Sequence, residues 1–178
     1  MKQKGLFDPE SGLGQALTLW WERLQGKGEF EGQVQTADRA ELSRAKTIAD
    51  VMLLPSFQHA CVRFKPFFKA EDWEKSIERL ALIAALLARV RDMTDQSVPL
   101  QMASPQKGEK PVVSELRFRR LIQRDRDELY GAMIRVLQKL GRTANIHQLA
   151  NDMYYWGDKV KRDWAFTYFP NTPELKAS

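Results

Sequence analysis

A chain of 178 residues with 43% hydrophobic and 10% aromatic content is globular, and it can bury a core in one large or two small domains. Its longest apolar run, residues 80–88, is too short to span a bilayer, and Cys61 is the only cysteine, so an internal disulfide is excluded. The net charge of +5 is uneven: residues 1–100 hold 14 Lys/Arg and 14 Asp/Glu, whereas residues 101–178 hold 14 against 9, an asymmetry that points to an anionic partner such as nucleic acid.

In chain order, almost every segment reads as helix, so the expected fold class is all-α. The opening MKQKGLFDPESG lacks the apolar core of a secretory signal, and a cytoplasmic protein is expected. Leu13, Leu17, Trp20, Trp21 and Leu24 recur with helical period, and the loop GKGEFEG closes that helix. Thr36 is placed to cap a helix reaching residue 53, with Leu42, Ala45, Ala49 and Met52 inward. Ser56 is placed to cap a short helix with Phe57, Ala60, Cys61 and Phe64 inward, which Pro66 stops. A long central helix is expected over 70–93, acidic at its start and basic near its end, with Trp73, Ile77, Leu80, Ala84 and Leu87 as its seam.

Residues 94–113 interrupt this pattern with Pro99, Pro105, Gly108 and Pro111 and the polar run SPQKGEK, which predicts a mobile linker. The expected organisation is therefore two small helical bundles: residues 1–95, a Pro/Gly-containing linker at 96–113, and a basic bundle at 114–178. Helices resume at about 114–124, 128–140, 146–156 and 158–169. Asp125 or Asp127 and then Asn145 are candidate caps.

Enzyme chemistry finds no constellation. His59 and His147 have no partner at metal-ligand spacing, so no metal site or cofactor is expected; His147, in the first turn of its helix, should be exposed. Cys61 lies on an apolar stripe without a base, as a core residue would. The spacing of Gly26, Gly28 and Gly32 lacks the strand and Lys-Ser/Thr of a phosphate loop, and Asp125 and Asp127 sit where helix caps sit.

Cationic chemistry is abundant. Arg117, Arg120 and Arg124 are spaced i, i+3, i+7, on one face of a helix whose Phe118 and Ile122 face elsewhere, and such a row can hold a polyanion. Arg126, Arg142, Lys159, Lys161 and Arg162 follow, with Arg44 and Lys46 earlier in the chain. A solvated charged face is the plain alternative. Tyr154, Tyr155, Trp156, Trp164 and Tyr168 lie between these charges. Base stacking is one use for them; the eight-residue spacing of Trp156 and Trp164 favours a core.

Three segments in order resemble CasB, the small subunit of the type I-E CRISPR surveillance complex Cascade. RAELSRA at 39–45 is similar to an Arg-Ala-x-Leu-x-Arg segment of that family. RFRRLIQRDRDEL at 117–129 resembles its Arg-rich helix running into an Asp-Arg turn, and YYWGDKVKRDWAFTYF at 154–169 resembles its Trp-Gly signature and basic helix. The chain departs from the family in the entry to the Arg-rich helix, which reads PLQMASPQKGEKPVV. The resemblance implies an all-α, non-enzymatic subunit that sits as a pair with a second copy of itself. It also implies contacts to other Cascade subunits, to the crRNA–target DNA heteroduplex and to the displaced strand, through backbone contacts and with no membrane association. Carried over by matched motif, the contact residues are Arg39 and Arg44, then Arg117, Arg120, Arg124 and Arg126, then Lys159, Lys161 and Arg162. Arg126, at the joint of two helices, is equally suited to pairing with Asp125 or a helix C-terminus. Two other readings stand beside this one: a helical DNA-binding regulator that reads base sequence, and a helical adaptor for an acidic protein.

Overall fold

The computed structural model describes residues 4–33, 36–105, 108–176 and 178. Among them, eleven α-helices and two two-residue strands make an all-α fold. In chain order these are α1 (Gly12–Gln25), α2 (Thr36–Arg44), α3 (Ile48–Met52), α4 (Pro55–Phe64), α5 (Ala70–Leu87), β1 (Asp92–Met93), α6 (Val98–Ala103), α7 (Glu115–Ile122), α8 (Arg126–Lys139), β2 (Thr143–Ala144), α9 (Ile146–Tyr154), α10 (Asp158–Asn171) and α11 (Pro173–Lys176). No helix among the described residues is long and apolar enough to cross a membrane. The chain divides into two compact units, Met1–Arg91 with Ile146–Tyr154, and Asp92–Asn145 with Tyr155–Ser178.

The first unit is built on α5, whose residues from Leu80 to Leu87 are all buried. The expected α1 stripe is buried in full, and Ser11 Oγ caps the helix by accepting from Gly14 N. The helix expected over 36–53 is two helices instead. Thr47 and Asp50 form a reciprocal capping box that starts α3, so Ala49 is exposed and Val51 takes the inward place. The cap expected of Thr36 rests on a side chain outside the described residues. Ser56 does not cap α4: Leu54 holds that position, and the Glu41 carboxylate of α2 accepts from Ser56 N at 3.0 Å. The helix expected to reach residue 93 ends at Leu87, since an apolar run on every side carries no period from which to read an end. His147 is buried rather than exposed: Nδ1 lies 2.8 Å from Phe7 O and Nε2 lies 3.0 Å from Thr18 Oγ1. Burial holds its pKa below the usual histidine range, against the opposing pull of the Phe7 hydrogen bond and Asp8.

The second unit contains the parallel pair β1–β2, with Asp92 opposite Thr143 and Met93 opposite Ala144. Residues 94–113, expected as a linker, hold α6. Ser97 Oγ accepts from Leu100 N, and Val98, Pro99, Met102 and Ala103 are buried, with α6 packed against α10. Phe118 of α7 stacks on Tyr168 of α10, centroids 3.9 Å apart and 6° from parallel. The Tyr168 hydroxyl donates to Val113 O. Burial, with the charges of Glu115 and Glu174, pushes that phenol up to about 12, so it stays a donor.

Candidate nucleic-acid interface

α7 is short and divided by chemistry. Phe118 and Leu121 are buried, while Arg117, Arg119 and Arg120 point to solvent; Ile122, expected in the core, is only half-buried. Glu115 complements the positive start of the helix and pairs with Arg119 at 2.6 Å, which engages one cation of the cluster. The helix stops at Ile122, so Arg124 sits in the turn to α8 and not on the helix. That turn is fixed by Trp156, whose Nε1 donates to Arg124 O at 2.9 Å, and by Arg126, which donates from Nη2 to Trp156 O at 3.3 Å. Arg126 thus turns inward, toward the structural role its position allowed.

α8 buries Leu129, Tyr130, Met133, Val136 and Leu137 and leaves Arg135 and Lys139 exposed. α7, the turn and α8 enclose a cleft of ≈ 620 Å³. Val113, Leu121, Ala132 and Val136 form its apolar floor. Arg117, Arg120 and Arg124 line it from α7 and the turn and Arg135 and Lys139 from α8, and no lining residue is acidic. Sequence reasoning passed over Arg135 and Lys139. Their signal was an i, i+4 cationic pair at the edge of α8's apolar stripe, one turn after Ala132 and Val136.

The third basic segment is more engaged. Lys159 pairs with Asp163 at 3.0 Å. Lys161 Nζ is 3.9 Å from Asp125 and lies over the Trp156 ring at 5.9 Å. Arg162 is exposed. Asp125, at the N-cap of α8, makes no capping bond with its side chain. Arg142 is exposed with a left-handed φ of 59°, in the turn where its N donates to Leu137 O. Of the flagged aromatics, Trp156, Trp164, Tyr168 and Tyr154 are buried, so only Tyr155, 51% exposed, is open to a base.

In the first unit, half-buried Arg39 approaches Gln25 Oε1 at 3.5 Å, an oxygen that Arg91 also reaches at 2.8 Å. Arg44 is exposed beside a shallow hollow that Lys46 shares with Glu41 and Asp50, where the charges are mixed. Cys61 is buried and its thiol is pushed up to about 11 by that burial, which suppresses thiolate chemistry. Among the described residues, no three His, Cys, Asp or Glu side chains cluster as metal ligands would.

A family model described as CRISPR-associated protein Cse2 matches residues 38–169, which hold the whole α7–α8 cleft. No curated protein matches the chain. Among solved structures, the chain is similar to one in a crystal structure of E. coli Cascade bound to a PAM-containing dsDNA target. The TM-score is 0.67 at 17% sequence identity, covering 90% of this chain and 96% of that one. At that identity the likeness is one of fold.

Proposed function

Because the chain belongs to the CRISPR-associated protein Cse2 family, we propose that it is the non-catalytic small subunit of a type I-E Cascade complex. In this reading it holds nucleic acid by the phosphate backbone in the α7–α8 cleft. The observation that carries the proposal is the cleft itself, with five cations at its rim, an apolar floor and no acid. Guanidinium groups on short helices joined by a braced turn supply donors to phosphate oxygens without asking for a base sequence. In an RNA-guided complex that is sufficient, since base pairing reads the sequence. The partners of this role are the crRNA, the target DNA and the other Cascade subunits. Arg142 and Arg162 are exposed and available for further phosphate contacts, whereas Lys159 and Lys161 must first leave Asp163 and Asp125.

The test is a salt titration of the full chain against labelled single-stranded DNA of mixed sequence, with the same chain reconstituted into the complex on target DNA. Weak, sequence-tolerant binding that falls steeply with salt is expected. A strong preference for one duplex sequence that persists at high salt would place the protein among regulators instead.

A further inference from the structure

The outer face of α10 differs in composition from the cleft. Lys159, Arg162, Asp163, Phe166 and Pro170 are all exposed, and their spacing of i, i+3, i+4, i+7 and i+11 puts them on one stripe of that helix. Phe166 is 75% exposed. Half-buried Phe169 lies one turn after it, and the Arg119 guanidinium of α7 sits over the Phe169 ring at 5.9 Å. Leu116, 58% exposed, is one turn before Arg119 on α7. Beneath them Phe118 ties the two helices together, with ring centroids 3.9 Å from Tyr168 and 5.5 Å from Phe169. Leu116, Arg119, Phe169, Phe166 and Arg162 thus follow one another across α7 and α10, each step a helical turn or a ring contact. One exposed phenylalanine is ordinary surface; a run of apolar side chains between two guanidiniums is a patch.

Charge decides between nucleic acid and protein. Glu115 pairs with Arg119 at 2.6 Å and Asp163 with Lys159 at 3.0 Å. Asp158, one turn before Arg162, adds a third acid. Arg162 itself is in no ion pair among the described residues. Three cations therefore share this face with three acids, whereas the cleft holds five cations and no acid. A phosphate backbone laid here would meet carboxylates, which a polyanion site must exclude. Aromatic and apolar side chains with arginine among them, and paired charges around them, are the composition of a protein–protein contact. We propose that the face of α7 and α10 centred on Phe166 docks a protein partner that lays apolar side chains over Phe166 and Leu116 and sets a carboxylate against Arg162. The fork of the guanidinium fixes the orientation of that carboxylate. This inference rests on the Cascade reading above, since it places the partner within that assembly, and it gives Arg162 a carboxylate in place of the phosphate allowed there.

The experiment co-expresses the full chain, tagged, with the other Cascade subunits of the same source, and compares wild type with the double variant Leu116→Ala/Phe166→Ala. Wild type should assemble, and the variant should be retained at least about tenfold less well. Both side chains are exposed, so the variant should keep the wild-type circular dichroism spectrum. Its free-chain affinity for single-stranded DNA, and the salt slope of that affinity, should stay at wild-type values. Phe166→Leu keeps apolar area without the ring, and Arg162→Lys keeps the charge without the fork; each should fall between wild type and the double variant in retention. Should the double variant fail to fold, Phe166→Ala alone carries the same comparison. Equal retention of wild type and variant overturns the docking face. Weaker free-chain DNA binding by the variant at an unchanged salt slope overturns it too and makes Phe166 a base platform, because a stacked base adds affinity without a phosphate contact. Failure of the wild type itself to assemble removes the Cascade reading, and this inference with it.

Discussion

Replacing Arg117, Arg120 and Arg124 with Ala should separate binding from folding. Arg117 and Arg120 are exposed, and each such change shifts stability by no more than about 0.5 kcal/mol. Arg124 is half-buried, but the bond that braces its turn is accepted by its backbone carbonyl from Trp156 Nε1, and Ala keeps that carbonyl. Binding should respond strongly. If all five cleft cations meet phosphates, the log–log salt slope is about −3.5 to −4.5, at roughly 0.7 to 0.9 per contact. The triple variant keeps Arg135 and Lys139, and its slope should fall to about −1.4 to −1.8. Between about 50 and 200 mM salt, wild type should then lose about 100- to 500-fold in affinity and the variant only about 7- to 12-fold. Fluorescence anisotropy on a labelled single strand, at four or five salt concentrations, measures both slopes. Arg135→Ala/Lys139→Ala is the companion, expected to flatten the slope by about 1.4 to 1.8 from the opposite side of the cleft. A wild-type slope in the triple variant, with assembly into the complex lost, would show that this face belongs to an acidic protein and that the cleft reasoning is wrong.

Four further outcomes follow from particular contacts. Trp156→Phe keeps most of the ring but leaves the Arg124 carbonyl without its donor; a loss of about 1–3 kcal/mol in urea unfolding is expected, and an unchanged midpoint would dismiss the brace. His147 has a folded-state pKa below its ordinary value of 6.5, so the unfolded chain takes up the proton first. Stability should therefore fall as pH drops through 6.5 toward the folded pKa, and the difference between wild type and His147→Asn should vanish if this burial is unimportant. Arg142→Gly removes a side chain from a left-handed backbone and should stabilise the fold by about 1 kcal/mol; if Arg142 also meets a phosphate, the salt slope flattens by about 0.7 to 0.9. No cleavage of DNA or RNA is expected with Mg²⁺ or Mn²⁺, and metal-dependent cleavage lost in Asp125→Ala and Asp127→Ala would refute the non-catalytic reading.

What could be read from the sequence divides along a physical line. Elements whose signal is local were legible: the α1 stripe, the acidic start of α5 and the Arg117 and Arg120 pair of α7 each follow from helical spacing within a few turns, whereas Arg124, expected on the same helix, falls in the turn after it. The break between α2 and α3 is also local, but it lies in the capping box of Thr47 and Asp50, which outweighs a weakly apolar stripe of Ala45 and Ala49. In residues 94–113 the prolines and glycine hid an apolar turn of helix, VPLQMA, that Ser97 caps. The remaining differences are tertiary. His147 is buried by Phe7, 140 residues away, and no period in α9 announces that. The cleft is tertiary in the same sense. A row on α7 is visible by itself, but its companion pair on α8 is ordinary surface charge until the Trp156–Arg124 bond folds the turn and brings both to one apolar floor. In the proposed interface the Trp-Gly segment acts through the backbone, by bracing the turn that carries Arg124 between α7 and α8. For that reason Trp156→Phe should weaken DNA binding even though no cleft cation is touched, and its effect should be smaller than that of the triple arginine change.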